Sequence, residues 1–284
     1  MSAKQTFSEV PVAPARAGGA GGLVNWFNNG PGLPLLVFIL LMSLWEYLVR
    51  ALNVPGFILP PPSAIVKTFV LGFATGAFLP DLAVTALEAV GGFLIGSFLG
   101  LVLGGLIVMF PVIERIVYPY VVALQTVPKV AIAPLFVVWF GFGITSKLVV
   151  VVLVSLFPVL VNVIAGLRSI EQERLDLLGA LSASRWQIFW HLRFPNSLPF
   201  LFAGLNTAVV LSVIGAIVGE FVGATKGIGF RILQANYNLD IAGVFSLFAV
   251  LSMLGLSMYW TLRLIERKVV FWSSERMNIQ QGNA

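Results

Sequence analysis

Long apolar stretches separated by short polar segments are the main pattern along this chain. The hydrocarbon core of a bilayer is about 30 Å thick and needs roughly 20 apolar residues of helix. Stretches of about that length occur at residues 34–52, 82–110, 121–142, 148–167, 198–222 and 242–265. The pattern predicts an all-α integral membrane protein with about six transmembrane helices.

The segments outside these spans differ in composition and in the structure that they predict. Residues 1–30 are small, polar and rich in Gly, Ala and Pro, and they lack the basic-then-apolar order of a signal peptide, so we expect a disordered tail. Residues 31–80 combine the first transmembrane helix with a proline-interrupted segment, in which we expect a short helix, 64–72, at the outer interface. Residues 81–268 hold the other spans, and residues 269–284 form a C-terminal tail.

The distribution of basic residues predicts the orientation. Of the 17 Lys and Arg residues, eleven fall on the side of the N-terminus, Lys129 falls within the third span, and five fall on the other side: Arg50, Lys67, Lys147, Lys226 and Arg231. Because basic residues concentrate in cytoplasmic segments, both termini are predicted to be cytoplasmic. The net charge of +5 then reflects membrane topology, and no nucleic-acid partner is expected.

Composition narrows the possible chemistry. Hydrophobic residues make up 58% of the chain and charged residues only 10%, whereas soluble domains carry about 25% charged residues. The absence of cysteine excludes disulfides and thiolate ligands, and a single histidine argues against a zinc centre. We therefore expect no metal, no cofactor and no catalytic residues.

The loop at about 168–197, between the fourth and fifth spans, is unusually polar for this chain. Apolar residues recur there at mostly three- to four-residue intervals, with Arg185 beside them: Leu175, Leu178, Leu181, Trp186 and Phe189. This amphipathic pattern is typical of a helix that docks on a partner protein, and equally of a helix that lies on lipid. Pro195 is predicted to end the segment before the fifth span.

The spacing within this loop resembles a known signature. Membrane subunits of ABC importers carry E-A-A, three residues, Gly, nine residues and I-x-L-P. Here Asp176, Leu177 and Leu178 take the place of E-A-A, Ser182 that of Gly, and Leu192 to Pro195 that of I-x-L-P. The spacing is kept in full, although only the proline is identical.

Other stretches are similar to the nitrate, sulfonate and taurine branch of these permeases: "LPPPSAIV" (59–66), "PYVVALQTVPKVAIAPLFVVWFGFGITSK" (119–147) and "IGAIVGEFVGATKGIGFRI" (214–232). The resemblance implies a type I ABC importer-like permease fold in a bacterial inner membrane. It implies a pair of permease subunits, identical or not, whose loops dock on two ATPase subunits. An external solute-binding protein would deliver the solute.

The chain carries no ATPase motif of its own. The phosphate-binding form G-x-x-x-x-G-K-[ST] is absent, and "GATKGIG" (223–229) has the wrong order. ATP hydrolysis is therefore expected on a separate subunit, and the chain itself is not expected to be an enzyme. The alternative is a self-sufficient secondary transporter. Such folds often contain internal repeats, and no convincing repeat is visible in this sequence.

Small residues at four-residue spacing predict a close helix contact in the second span: Gly92, Gly96, Gly100 and Gly104. Glu88 lies one step earlier on this stripe. A similar series in the fifth span leads to Glu220: Gly204, Ala208, Ser212 and Ala216.

Polar side chains within the spans are the candidates for a translocation path: Glu88, Gln125, Lys129, Asn206 and Glu220. The alternatives are structural hydrogen bonds for the two acids and a lysine that reaches towards the interface. Because Lys129 would attract an anion, the sequence favours a small anion or sulfonate such as nitrate, taurine or an alkanesulfonate. Glu88 and Glu220 would repel an anion, so a neutral or aromatic solute is the alternative.

Overall fold

The computed structural model describes residues 32–272, so the predicted N-terminal tail and residues 273–284 of the C-terminal tail lie outside the described residues. In chain order the helices are α1 (Gly32–Ala51), α2 (Pro62–Ala74), α3 (Leu79–Met109), α4 (Pro111–Thr126), α5 (Ala133–Phe140), α6 (Ile144–Arg168), α7 (Gln172–Ala180), α8 (Arg185–Ile188), α9 (Phe194–Gly223), α10 (Ile228–Tyr237) and α11 (Ile241–Val269). A 3₁₀ turn, Lys129–Ile132, precedes α5, and a π turn, Phe189–Arg193, joins α8 to α9.

The number of spans agrees with the hydropathy pattern. Within residues 32–272, five helical segments are long and apolar enough to cross a bilayer: α1, α3, α6, the continuous segment Arg185–Gly223, and α11. The bent pair Pro111–Thr126 and Lys129–Phe140 makes a sixth if it counts as one span. Residues 32–272 contain no strand. The predicted all-α membrane fold with about six spans is confirmed.

The chain forms two compact units, which divide at Val54. The first contains α1, a largely exposed apolar helix on which Arg50 donates to Glu46 at 2.6 Å, one turn earlier. The second unit, from Pro55 onwards, contains the packed helices described below.

The core of the second unit is built on α6, which packs along both α3 and α9. Small residues on α3 allow this close approach. A Cβ added to Gly96 would lie 2.6 Å from the carbonyl oxygen of Val152, and one added to Gly100 would lie 2.7 Å from that of Leu156. Gly204 on α9 meets the other side of α6, where a Cβ would lie 2.9 Å from the carbonyl oxygen of Pro158.

The third span differs in its bounds from the segment predicted at residues 121–142. Its helix begins ten residues earlier, at Pro111, and ends at Thr126, and the chain then bends by 80° before it continues as Lys129–Phe140. Pro128 explains the break, because proline has no N–H to donate and disfavours helical geometry in the residue before it.

The fourth span begins at Ile144 rather than near residue 148. Lys147 was predicted to lie between the third and fourth spans, and the structure places it instead in the first turn of α6, where it is buried. Hydropathy alone places the end of a span at a polar run such as residues 145–147. Such residues can remain in the helix when their polar groups find partners inside the protein.

Pro195 does not end the segment before the fifth span, contrary to prediction. It lies in the first turn of α9, directly after the π turn, and the helical segment runs without interruption from Arg185 to Gly223. In that turn the N–H of Phe194 donates to the carbonyl of Phe189, five residues earlier. The wider turn accommodates a proline ring that would clash with a regular α-helical backbone.

Candidate functional site

The loop between α6 and α9 is a short helix followed by a tight turn. Helix α7 ends in a pair of backbone hydrogen bonds, from Ser182 to Gly179 at 2.9 Å and from Ala183 to Leu178 at 3.0 Å. These are the bonds of a Schellman motif, whose residue after the cap adopts left-handed geometry. Ser182 has that geometry, with φ of 58°. The position that the signature assigns to glycine is thus one where a side chain costs about 1–2 kcal/mol.

The turn leads directly into a second, capped helix. The backbone N–H of Ser184 donates to Oε1 of Gln187 at 2.8 Å, and the N–H of Gln187 donates to Oγ of Ser184 at 3.3 Å. This reciprocal capping box fixes the direction in which α8 leaves the turn. The aromatic side chains that follow pack on one another, with ring centroids 6.1 Å apart for Trp186 and Phe189 and 5.6 Å apart for Trp186 and Trp190.

The loop presents exposed apolar side chains next to charged ones. Leu177, Leu181 and Trp186 are 62%, 70% and 59% exposed, while Leu178 is half-buried. Charged and polar side chains of the loop bond to one another: Arg174 pairs with Glu171 at 2.9 Å, and Gln172 donates to Asp176 at 2.8 Å. Arg185 is exposed beside Trp186, whereas Leu192 and Pro195 are half-buried at the start of α9.

Two contacts fix the loop to the helices at its base. Arg168, the last residue of α6, pairs with Glu114 of α4, and its guanidinium lies 4.4 Å from the ring centroid of Tyr118. On the other side, Nδ2 of Asn196 in α9 donates to Oγ of Ser169 at 2.9 Å. These contacts connect the two ends of the loop to α4 and α9.

A cavity of about 450 Å³ lies where α4 and the 3₁₀ turn meet α6 and α9. Its walls are mostly apolar, and its lining includes Gln125, Lys129, Val154, Pro158, Asn162 and Thr207. Among the described residues that line it, Lys129 alone is charged. The size suits a small organic solute, because ligand pockets commonly measure about 300–1,000 Å³.

Lys129 already has partners in this wall. Its Nζ donates to the backbone carbonyl of Gln125 at 3.0 Å and lies 4.5 Å from the ring centroid of Phe157. These contacts hold the ammonium at the edge of the cavity and leave it further hydrogens to donate.

Glu88 does not reach this cavity. Its side chain is fully buried between α3 and α6, where Oε1 accepts a hydrogen bond from Nζ of Lys147 at 3.0 Å. Its Oε2 has no hydrogen-bond partner among the described residues. A buried carboxylate is costly unless it is paired, and Lys147 supplies that pairing.

Glu220, also fully buried, belongs to a polar cluster that joins α3, α9 and α10. Oε1 accepts from Oγ1 of Thr85 at 2.6 Å, and Oε2 accepts from the backbone N–H of Gly229. Beside it, Asp81 of α3 pairs with Arg231 at 2.6 Å. Each of these contacts crosses between helices, as expected of structural hydrogen bonds.

Asn206 lies elsewhere again, where its Nδ2 is 3.4 Å from Oε2 of Glu266 on α11. Of the five predicted path residues, the structure therefore brings only Gln125 and Lys129 to one cavity. Three polar residues at these contacts were not among the predicted path residues. Lys147 was assigned to a loop, and Asn162 and Thr207 were not singled out, although Asn162 follows Pro158 by one helical turn.

Comparison with known proteins gives a consistent picture. The family described as "Binding-protein-dependent transport system inner membrane component" matches residues 92–271, more than half of the chain. The chain is 36% identical to the formylaminopyrimidine transport permease protein of Halalkalibacterium halodurans, over 86% of this chain and 96% of the relative. It is 34% identical to the riboflavin transport system permease protein of Chloroflexus aurantiacus, over 86% and 90% of the two chains. It is 27% identical to the taurine transport system permease protein of Escherichia coli, over 84% and 88%.

Proposed function

The chain belongs to the family of inner membrane components of binding-protein-dependent transport systems, and on this premise we propose that two copies of it form the solute path of an ATP-driven importer. The resemblance to ABC importer permeases is confirmed by this membership, so the chain is a multi-pass transport permease subunit of the inner membrane. The family implies an ATPase and a solute-binding protein as partners. Our proposal adds two ATPase subunits and one external binding protein for each pair of permeases.

We further propose that both termini face the cytoplasm. With Lys147 inside α6, four basic residues remain on the outer side against eleven on the side of the termini. This difference supports the orientation, because Lys and Arg concentrate in cytoplasmic segments. The loop between α6 and α9 then faces the ATPase.

The observation that carries the coupling role is the exposed apolar face of this loop beside a rigid turn. Leu177, Leu181 and Trp186 offer a protein partner apolar surface that aqueous solvent would not favour. The Schellman turn at Ser182 sets the angle between α7 and α8. A fixed angle lets the docked loop transmit movement of the ATPase to the helices at its base.

Charged substitutions on this face should uncouple the transporter. Leu177→Asp or Trp186→Asp is expected to reduce co-purification with the ATPase about tenfold or more, because a buried apolar contact would become an unpaired carboxylate. Tyr237→Asp provides the matched control, since Tyr237 is 82% exposed on α10, beyond the other end of α9. Equal ATPase recovery in all three variants would show that the loop does not dock on the ATPase.

We place part of the translocation path at the cavity between α4, α6 and α9. Gln125 and Lys129 line it, together with Asn162 and Thr207. Glu88, Glu220 and Asn206 are assigned to hydrogen bonds between helices, because their partners come from neighbouring helices rather than from the cavity.

We propose a small, polar heteroaromatic solute. The support is twofold. The relatives named for formylaminopyrimidine and riboflavin are 36% and 34% identical to the chain, against 27% for the taurine permease. The cavity offers amide and hydroxyl groups within apolar walls, which is the composition of a site for a neutral ring compound. A small anion or sulfonate is the second candidate, and Lys129 in the cavity wall favours it.

Replacement of Lys129 distinguishes the two solute classes. For a neutral heterocycle, Lys129→Met should lower uptake by less than about tenfold, because a neutral solute loses one hydrogen bond at most. For an anion, the loss of the single charged group in the cavity should lower uptake tenfold or more. Lys226→Met, outside the cavity, controls for the change in net charge. A tenfold loss confined to Lys129→Met would contradict the heteroaromatic proposal.

The solute itself is identified most directly on the partner binding protein. Calorimetric titration of that protein with formylaminopyrimidine, riboflavin, nitrate, taurine and ethanesulfonate should show its tightest binding to one of the two heterocycles. Tightest binding to nitrate or a sulfonate would select the second candidate.

A further inference from the structure

Helix α6 carries a proline in its interior, at the wall of the cavity. Pro158 has no N–H, so the carbonyl oxygen of Val154, four residues earlier, lacks the donor that an α-helix would normally provide. Residues four apart lie on the same helix face, and both Val154 and Pro158 line the cavity. A backbone acceptor without its helical donor is therefore located on the face of α6 that borders the cavity.

Two side chains add further acceptors to the same cavity. Asn162, one turn after Pro158, donates from Nδ2 to the carbonyl oxygen of Pro158 at 2.8 Å. This bond uses the amide nitrogen and leaves Oδ1 as an acceptor. Across the cavity, the hydroxyl of Thr207 donates to the carbonyl of Ala203 at 3.2 Å, so its remaining capacity is also that of an acceptor.

The wall formed by α4 and the 3₁₀ turn differs in that it carries hydrogen-bond donors. The ammonium of Lys129 can only donate, and the amide of Gln125 can donate or accept. The cavity lining thus includes acceptors on α6 and α9 and a donor on the 3₁₀ turn. This set of groups matches a ring compound that carries both N–H groups and carbonyl or ring-nitrogen acceptors.

We propose that the Val154 carbonyl freed by Pro158, together with Oδ1 of Asn162, forms an acceptor site that selects planar heterocyclic solutes through their N–H groups. This inference rests on the proposed function, because it assumes that the cavity belongs to the path. An alkanesulfonate presents only acceptor oxygens. It would leave both acceptors of the site unpaired, and an unpaired buried acceptor is costly.

Equilibrium dialysis tests the site on the permease–ATPase complex in lipid nanodiscs, with radiolabelled formylaminopyrimidine and ethanesulfonate as probes. Wild type should bind the pyrimidine at least tenfold more tightly than the sulfonate. Pro158→Ala supplies an N–H to the Val154 carbonyl, and Asn162→Leu removes Oδ1. Each is expected to weaken pyrimidine binding about three- to tenfold, the effect of one lost hydrogen bond. Pro199→Ala, at an interior proline of α9 that does not line the cavity, should bind as wild type does.

The outcomes separate this inference from the proposed function. Failure of the chain to co-purify with its ATPase, which is measured before any probe is added, contradicts the proposed function. If the complex forms, unchanged pyrimidine binding in both Pro158→Ala and Asn162→Leu overturns the acceptor site. Sulfonate binding as tight as pyrimidine binding, or no pyrimidine binding at all, also overturns it.

Discussion

Replacing Lys147 by methionine is expected to lower the free energy of unfolding by about 3–5 kcal/mol, the usual cost of removing one partner from a buried ion pair. Glu88 is fully buried, and its contact with Lys147, at 3.0 Å, is the single hydrogen bond that the described residues give to its carboxylate. Without the ammonium, the carboxylate would remain buried without a counter-charge. Thermal unfolding of the purified protein in detergent measures the loss.

Two further variants make this test specific. The double variant Lys147→Met with Glu88→Gln removes both charges and should recover most of the lost stability. Lys67→Met, at an exposed position on α2, should stay within about 0.5 kcal/mol of wild type. Equal stability of Lys147→Met and Lys67→Met, or no recovery in the double variant, would show that the pair does not hold α3 and α6 together.

Gly100→Leu is expected to disrupt the contact between α3 and α6 and to cost more than the 1–3 kcal/mol or so that is usual for an overpacked site. Even a single Cβ at this position would lie 2.7 Å from the carbonyl oxygen of Leu156 and 3.0 Å from Cβ of Val159. Backbone atoms on the facing helix cannot rotate away, so the two helices would have to separate. Folded yield and thermal unfolding report the effect.

A neighbouring glycine on the same helix provides the control. A Cβ at Gly105 would have its nearest neighbour 3.9 Å away, at Cζ of Phe189. Gly105→Ala should therefore be neutral or stabilising by up to about 1 kcal/mol through helix propensity, whereas Gly100→Ala should already be destabilising. If the two alanine variants unfold at the same temperature, the close approach at Gly100 is not a determinant of packing.

The hydropathy pattern was sufficient for the main spans, because burial in a bilayer requires long, uniformly apolar helices. Helices α3, α9 and α11 contain the predicted ranges within their bounds, apart from the last residue of the first range. The 80° bend of the third span was not predicted. Pro128 was visible in the sequence, but the geometry of a bend depends on how the following segment packs.

The candidate site was less predictable, because its polar contacts join residues far apart in the sequence. Lys147 was assigned to a loop, since its partner Glu88 is 59 residues away and a charged residue normally ends an apolar span. Gln125 and Lys129 do line one cavity, but Asn162 and Thr207 opposite them were missed. In a sequence, a polar residue within a span looks the same whether it faces a cavity or bonds to a neighbouring helix.

The loop keeps the spacing of the signature with one identical residue, and the resemblance also depended on the stretches at 59–66, 119–147 and 214–232. The structure supplies a physical reason for the spacing, because Ser182 occupies a left-handed position where glycine is favoured. The role of Pro195 could not be predicted, since the π turn that accommodates the proline has no clear sequence signal.

Solute uptake into proteoliposomes tests the central claim most directly, namely that this chain is the path of an importer driven by a separate ATPase. The purified chain would be reconstituted with its ATPase, with ATP enclosed and the solute-loaded binding protein added outside. We expect accumulation that requires ATP, the ATPase and the binding protein together. Trp186→Asp should lower this accumulation about tenfold or more. Accumulation at the same rate without ATP or without the ATPase would contradict the central claim and indicate a self-sufficient secondary transporter.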